Sequence, residues 1–331
     1  MKLGIAGTGI SAKEFLSIAH HLEKTELYAL CSTKRSEKEA RRLAKEYSIP
    51  QVFTDYEDIL RSEADTVYLA LPNHLHYSYA YQALMAGKNV IVEKPFTPAV
   101  EQAMVLSRTA REKKLFLFEA VTTIHQPDYR RVKEFLPDLG TIRLVQCSYS
   151  QYSRRYDRFK QGEILPAFDP ACAGGALMDI NIYNIHYTAG LFGKPSSIHY
   201  FPNIERGIDT SGVLLLDYGS FKCTLTGAKD CSAPCSCAIL GDKGYLIQES
   251  PANLCQGIRI VLNEGTEKTV KNHSYGHRMI REFLEFENMI HSGDLNACYR
   301  YLDHSLCVCE ILTEARRMAG IIFPAEALQV H

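Results

Sequence analysis

The 331-residue sequence predicts an α/β chain in two parts. The first is a doubly wound parallel sheet over residues 1–120, and the second an α+β domain over 121–331 built on a large, mostly antiparallel open sheet. Three observations predict this. Apolar runs alternate with helical stretches through the first 120 residues, as in a parallel sheet covered on both faces. From Ser197 to Val270 short apolar runs are broken by Gly, Asp, Pro and Asn, which suits antiparallel strands with one face packed on helices. The length also exceeds what one hydrophobic core usually organises.

Taken in order, the expected strands of the first part are Lys2–Ala6, Glu26–Cys31, Thr66–Leu71, Asn89–Glu93 and Leu115–Phe118. Helices are expected at Lys38–Tyr47, where Ala40, Leu43 and Ala44 recur at helical spacing, and at Tyr56–Leu60 and Tyr77–Met85, the last stopped by Gly87. A helix over Tyr129–Leu136 and a long strand over Thr141–Tyr152 open the second part. A loop rich in charge and aromatic residues follows over Ser153–Ala173, then a helix opened by Gly174–Gly175 and running through Ala176–Leu191. Strands are read at Gly212–Tyr218, Phe221–Gly227, Cys237–Gly241 and Ile258–Leu262, and helices at Gly276–His291 and Leu302–Ala319.

Composition narrows the function. Lys and Arg number 37 against 38 Asp and Glu, for a net charge of −1, so no basic field draws the chain to phosphate backbones or anionic lipid. Nucleic acid is therefore not an expected partner. The aromatic-basic stretch Tyr149, Tyr152, Arg154, Arg155, Tyr156 and Arg158 reads instead as a substrate-side loop or a subunit contact. Eleven cysteines lie at irregular spacing, and the chain opens on a strand rather than a secretory leader, so reduced thiols in a cytoplasmic protein are expected. No apolar stretch suits a membrane span. The C-x3-C-x-C spacing of Cys231, Cys235 and Cys237 fits no zinc pattern, and no metal is expected.

Gly7-Thr8-Gly9-Ile10-Ser11-Ala12 follows the first strand and opens a helix, the context that a G-x-G-x-x-[GA] dinucleotide site of a Rossmann domain requires. The first glycine serves the tight turn, the second lets backbone approach the pyrophosphate, and Ala12 allows close helix packing. The phosphates would meet the exposed N–H groups of the helix terminus. After the second strand, where an NAD site usually carries Asp or Glu, the chain has Ser32-Thr33-Lys34-Arg35. Hydroxyls and positive charge there suit a 2′-phosphate, so NADP is the expected cofactor with NAD possible. The competing reading is that Lys34 and Arg35 only begin a solvated helix.

Ala70-Leu71-Pro72-Asn73-His74-Leu75-His76, Val92-Glu93-Lys94-Pro95 and Gly174-Gly175-Ala176-Leu177-Met178-Asp179-Ile180-Asn181-Ile182-Tyr183 together resemble the Gfo/Idh/MocA oxidoreductases, and the likeness runs through essentially the whole chain. It implies that Lys94 is catalytic beside the nicotinamide, that Asp179 and Tyr183 face the substrate, and that Leu71, Pro72, Asn73, His76 and Glu93 line the cofactor. Tyr at 183 and Glu119-Ala120 are similar to the glucose-fructose oxidoreductase and dihydrodiol dehydrogenase branches. Ile124 stands where an Arg is common there, and Ala173 where a glycine is frequent, so no single relative's substrate carries over. A homodimer or homotetramer is implied as well.

The residues make chemical sense of this. Asp179 and Tyr183 are four apart and share a helical face, with His186 near it. Oxidising an alcohol needs a base for the hydroxyl proton, and the reverse reaction needs the same group as an acid. Tyr183 is the expected acid/base, an ammonium at Lys94 favours its phenolate, and Asp179 orients. Singly, each has a plainer reading: a turn lysine, a capping carboxylate, a core tyrosine. The expected activity is hydride transfer to or from a hydroxyl or carbonyl of a sugar, polyol or diol. The alternative from another class is a catalytically silent NAD(P)-sensing regulator of the same fold.

Overall fold

A computed structural model of the chain describes residues 1–270 and 276–327, so the last four residues of the domain expected to end at 331 lie outside the described part. Packing divides the chain into two compact units. One contains Met1–Ala120 and Met279–Leu306, the other Val121–Arg278 and the described residues from Cys307.

The first unit carries six parallel strands: β1 (Lys2–Ala6), β2 (Glu26–Cys31), β3 (Gln51–Phe53), β4 (Thr66–Leu69), β5 (Asn89–Glu93) and β6 (Leu117–Ala120). Their order is β3-β2-β1-β4-β5-β6, the doubly wound arrangement expected, with the order reversing between β1 and β4. The helices between them are α1 (Ile10–Ile18), α2 (Glu37–Glu46), α3 (Tyr56–Arg61), α4 (His76–Met85) and α5 (Val100–Lys113). The strand expected over Leu115–Phe118 runs two residues later, because the Phe116 N–H is taken by the Asn89 side chain and pairing with β5 begins at Leu117. The short β3 was not read from the sequence; three residues give periodicity nothing to act on.

The second unit begins with α6 (Pro127–Phe135), β7 (Ile142–Ser150) and α7 (Arg154–Lys160). The stretch expected as a loop over Ser153–Ala173 therefore contains a helix, started by the Ser153 side chain accepting from Arg155 N–H. A π-helical turn over Leu177–Asn181 leads into α8 (Ile182–Phe192). Seven strands follow: β8 (Ser197–Glu205), β9 (Ile208–Asp217), β10 (Lys222–Ala228), β11 (Ser236–Gly241), β12 (Gly244–Gln248), β13 (Ile258–Leu262) and β14 (Glu267–Val270). With β7 they form one sheet in the order β14-β13-β12-β11-β7-β10-β9-β8. Every neighbouring pair is antiparallel except β7–β10. One face carries the core, with Val145, Cys147, Leu214, Leu225 and Ile239 buried. The other face exposes Leu144, Phe201 and Leu215.

α9 (Ile280–Ser292) lies in the first unit, and α10 (Leu295–Met318) begins there and ends in the second. A single cut at residue 120 thus needs an amendment, because Met279–Leu306 completes the first core. Phe283 packs with ring centroids 4.5 Å from Phe15 and, edge to face, 5.1 Å from Tyr68, and Phe286 stacks at 4.5 Å from Phe118. Each such ring removed from water contributes roughly 2–3 kcal/mol. All eleven cysteines are free thiols. Among the described residues no helix is long and apolar enough to cross a membrane, and no cluster of His, Cys, Asp or Glu is arranged to hold a metal.

Candidate active site

In the first unit the site forms at the carboxyl edge of the parallel sheet, where each βα turn must reverse the chain. Gly7 takes φ +116°, and a Cβ there would stand 2.2 Å from the Ala70 carbonyl oxygen, so only glycine lets β1 turn this close to the end of β4. Gly9 is the N-cap of α1; it has no side chain to cap the helix, and a Cβ built on it meets nothing within 4 Å. The space beside the start of α1 is thus open, while Ala12 is fully buried where a larger residue would push the helix from the sheet. This cradle fits a dinucleotide pyrophosphate. Thr8, Ile10 and Ser11 line the same turn, and Ile10 is 61% exposed.

At the end of β2, Ser32 is buried and its hydroxyl donates to the Thr33 carbonyl. Thr33, Lys34 and Arg35 are exposed in a single 3-10 turn before α2, so the hydroxyl of Thr33 and the two cations are what this edge presents. The acidic residue expected of an NAD site is absent there.

The stretches after β4 and β5 are tied together from below. His76 is fully buried, with Nδ1 2.8 Å from the Pro95 carbonyl and Nε2 2.9 Å from the Leu71 carbonyl. Burial holds this imidazole below its ordinary pKa against the pull of both carbonyls. With both ring nitrogens within hydrogen-bond distance of backbone carbonyls, His76 bridges the turns after β4 and β5. Glu93 is likewise turned inward, its carboxylate accepting from the Tyr68 hydroxyl at 2.5 Å. Burial beside Glu93 pushes that phenol well above its usual range. Glu119 accepts from the Phe96 N–H at 2.9 Å, fixing the chain just after the cis Lys94–Pro95 peptide. These braces leave Leu71, Pro72, Asn73 and the half-buried Lys94 at the sheet edge that carries Gly7–Ala12.

In the second unit, Gly174–Gly175 is explained by steric need. A Cβ on Gly174 would stand 2.6 Å from the Pro166 carbonyl oxygen, and one on Gly175 (φ +104°) 2.1 Å from Asp209 Oδ1. Asp209, on β9, caps the helix start by accepting from Leu177 N–H at 2.6 Å and from the Tyr200 hydroxyl at 2.7 Å. Burial raises its pKa to about 6 despite those hydrogen bonds and the nearby Lys229. Asp179 lies within the π-helical turn, a local widening of the helix that recurs at functional sites. Its carboxylate pairs with the Lys229 ammonium at 2.6 Å. Tyr183, in the first turn of α8, is 7% exposed and packs beside Tyr149 at 5.8 Å between ring centroids. His186 is fully buried one turn on.

Sequence reasoning missed Lys229 and Asp209. The available signal was a charged Lys-Asp pair directly after an apolar strand, but only the fold brings residue 229 to residue 179. Asp209 has no local signature at all.

Comparison with known proteins agrees with both halves. Residues 1–121 match the oxidoreductase family with an NAD-binding Rossmann fold, and residues 129–247 match the GFO/IDH/MocA C-terminal domain. The chain is 32% identical to the uncharacterized oxidoreductase YgjR of Escherichia coli (strain K12), with 100% of both chains covered. It is 30% identical to the scyllo-inositol 2-dehydrogenase (NADP(+)) IolU of Bacillus subtilis (strain 168), covering 98% of this chain and 99% of that protein. Among solved structures, the 3-ketoreductase KijD10 of Actinomadura kijaniata, in complex with NADP and TDP-benzene, superposes with TM-score 0.82 at 24% identity, covering 96% of this chain and 97% of that one. At that identity the likeness speaks for the fold. With its glycine cradle, its Glu-Lys-Pro turn and its Gly-Gly-opened helix accounted for, the chain belongs to the Gfo/Idh/MocA family of NAD-binding oxidoreductases.

Proposed function

We propose that the chain is an NADP-preferring dehydrogenase or reductase of a CH–OH group on a sugar, polyol or diol, with Tyr183 as acid/base, Lys94 as its electrostatic support and Asp179 as the orienting carboxylate. The observation that carries this reading is the placement of Lys94. It follows β5 at the carboxyl edge of the parallel sheet, the edge on which Gly7–Ala12 opens α1. Ligands of doubly wound sheets lie along that edge.

Bound there, the nicotinamide coenzyme supplies the hydride acceptor or donor. The chain's residues do the rest. Lys94 donates a hydrogen bond to the substrate oxygen and favours negative charge on it as the hydroxyl proton departs. Tyr183 holds that proton at its phenolic oxygen and returns it in the reverse direction. Asp179 accepts from a second hydroxyl and so fixes which carbon reacts. Exposed Thr33, Lys34 and Arg35 support recognition of a 2′-phosphate, and the NADP(+) in the name of the Bacillus subtilis relative supports the same preference.

Self-association fits this reading as well. The open sheet face exposes Phe201 (62%), Leu144 (43%) and Leu215 (38%), a patch suited to a homodimer or homotetramer. The deciding experiment mixes purified protein with NADP+ or NAD+ and a panel of inositols, sugars and diols, following reduced-nicotinamide absorbance. Turnover with a polyol and a preference for NADP+ are expected. Coenzyme binding with no turnover across the panel would instead favour the regulator.

A further inference from the structure

Lys229 is the first residue past β10, and its side chain is only 3% exposed. A buried ammonium is tolerated only when paired and hydrogen-bonded. Here its Nζ donates to Asp179 Oδ2 at 2.6 Å and to the Ala167 carbonyl at 2.9 Å, and it lies 4.4 Å over the Phe168 ring. Its backbone is anchored on both sides: the N–H donates to the Thr210 carbonyl, and its carbonyl accepts from Ser153 N–H. The cation therefore has little freedom to move. It joins three segments distant in sequence: the 166–168 turn against which Gly174 packs, the π-helical turn carrying Asp179, and the end of β10. The carboxylate it holds is not itself buried, since the Asp179 side chain is 37% exposed. A buried cation on one carboxylate oxygen with the group open to solvent is an arrangement for presenting a fixed anionic acceptor.

We infer that Lys229 is a positioning residue that locks Asp179 as a hydroxyl acceptor, and so sets the preference for substrates bearing a second hydroxyl beside the reacting carbon. The inference rests on the polyol oxidoreductase reading above. Lys229 touches no reacting atom. It fixes the rotamer of Asp179 through one oxygen, so that the carboxylate meets a vicinal hydroxyl without first being ordered, and ordering a side chain at the moment of binding costs affinity.

Lys229→Met tests this with the full chain, NADP+ and a vicinal polyol. We expect kcat/KM to fall by about tenfold, mostly through KM, with the coenzyme dissociation constant unchanged. The acid limb of kcat/KM should move to higher pH, because removing an adjacent ammonium disfavours the carboxylate form of Asp179. Lys229→Arg should restore most of the loss. In an Asp179→Asn background Lys229→Met should add little, since residues acting through one another are not additive. If Lys229→Met does not fold, Lys229→Gln keeps an N–H donor and removes the charge on a side chain one bond shorter. Independent, additive losses, an unmoved pH limb, or a fall in kcat with KM unchanged would overturn the inference while leaving the enzymatic reading intact. Wild-type protein without turnover on any polyol would overturn that reading and this inference with it.

Discussion

A methyl group on Gly175 would stand 2.1 Å from Asp209 Oδ1, at a φ of +104° that no β-carbon tolerates well. Gly175→Ala is expected to cost at least about 2 kcal/mol in denaturant unfolding and to disturb the turn that carries Asp179. Ala173 shows the opposite case, because it holds φ +54° with a side chain where glycine would be at ease. Ala173→Gly relieves that conformation but removes a fully buried methyl and frees the unfolded chain, so the opposing effects should keep its change in stability within about 1 kcal/mol. Asp209 contributes a pH dependence of definite sign. Its folded pKa of about 6 lies above the ordinary carboxylate value of 3.8, so its stabilising contribution is complete below about pH 4 and is lost as pH rises through 6. Measured against Asp209→Asn, the wild type should lose about 3 kcal/mol between those limits, and a flat difference would show that the carboxyl titrates normally. For the chemistry itself, Lys94→Met and Tyr183→Phe should each collapse turnover while NADP+ still binds. Unchanged turnover in either variant removes that residue from the mechanism.

At the scale of elements, the turns after β4 and β5 are held by His76 and Glu119 rather than by their own sequence. His76→Ala removes a fully buried imidazole that bridges the Leu71 and Pro95 carbonyls, its single N–H in the neutral form donating to one of them. A loss of about 3 kcal/mol is expected, together with weaker coenzyme binding, read by thermal unfolding and by titration with NADP+. The expected loop at 153–173 turned out to contain a helix because Ser153 caps it and Phe159 is buried against Phe168, with 5.0 Å between ring centroids. A seven-residue helix holding one fully buried residue shows almost no periodicity, so its sequence reads as a loop.

Across the whole molecule, α9 returns to the first unit through Phe283 and Phe286, and Phe283→Ala should cost about 3–5 kcal/mol in the unfolding of that unit. The exposed face of the eight-stranded sheet makes a separate prediction. Phe201→Glu should shift the protein toward monomer in sedimentation while leaving the fold intact, whereas an unchanged sedimentation coefficient would place self-association elsewhere.

By itself the sequence determined the alternating strands and helices of the first unit, the glycine turn at residues 7–12, the Glu-Lys-Pro turn and the Gly-Gly-opened helix. Each is written in consecutive residues, as a periodicity or as a demand for a missing side chain. The tertiary structure decided which groups meet: Lys229 with Asp179, His76 with two carbonyls, Asp209 with a helix start, α9 with a sheet that ended 160 residues earlier. Local patterns arise from backbone geometry that neighbours in the chain share. A buried charge or a buried ring finds its partner only when strands far apart in the chain are laid side by side, and no short stretch of residues records that encounter.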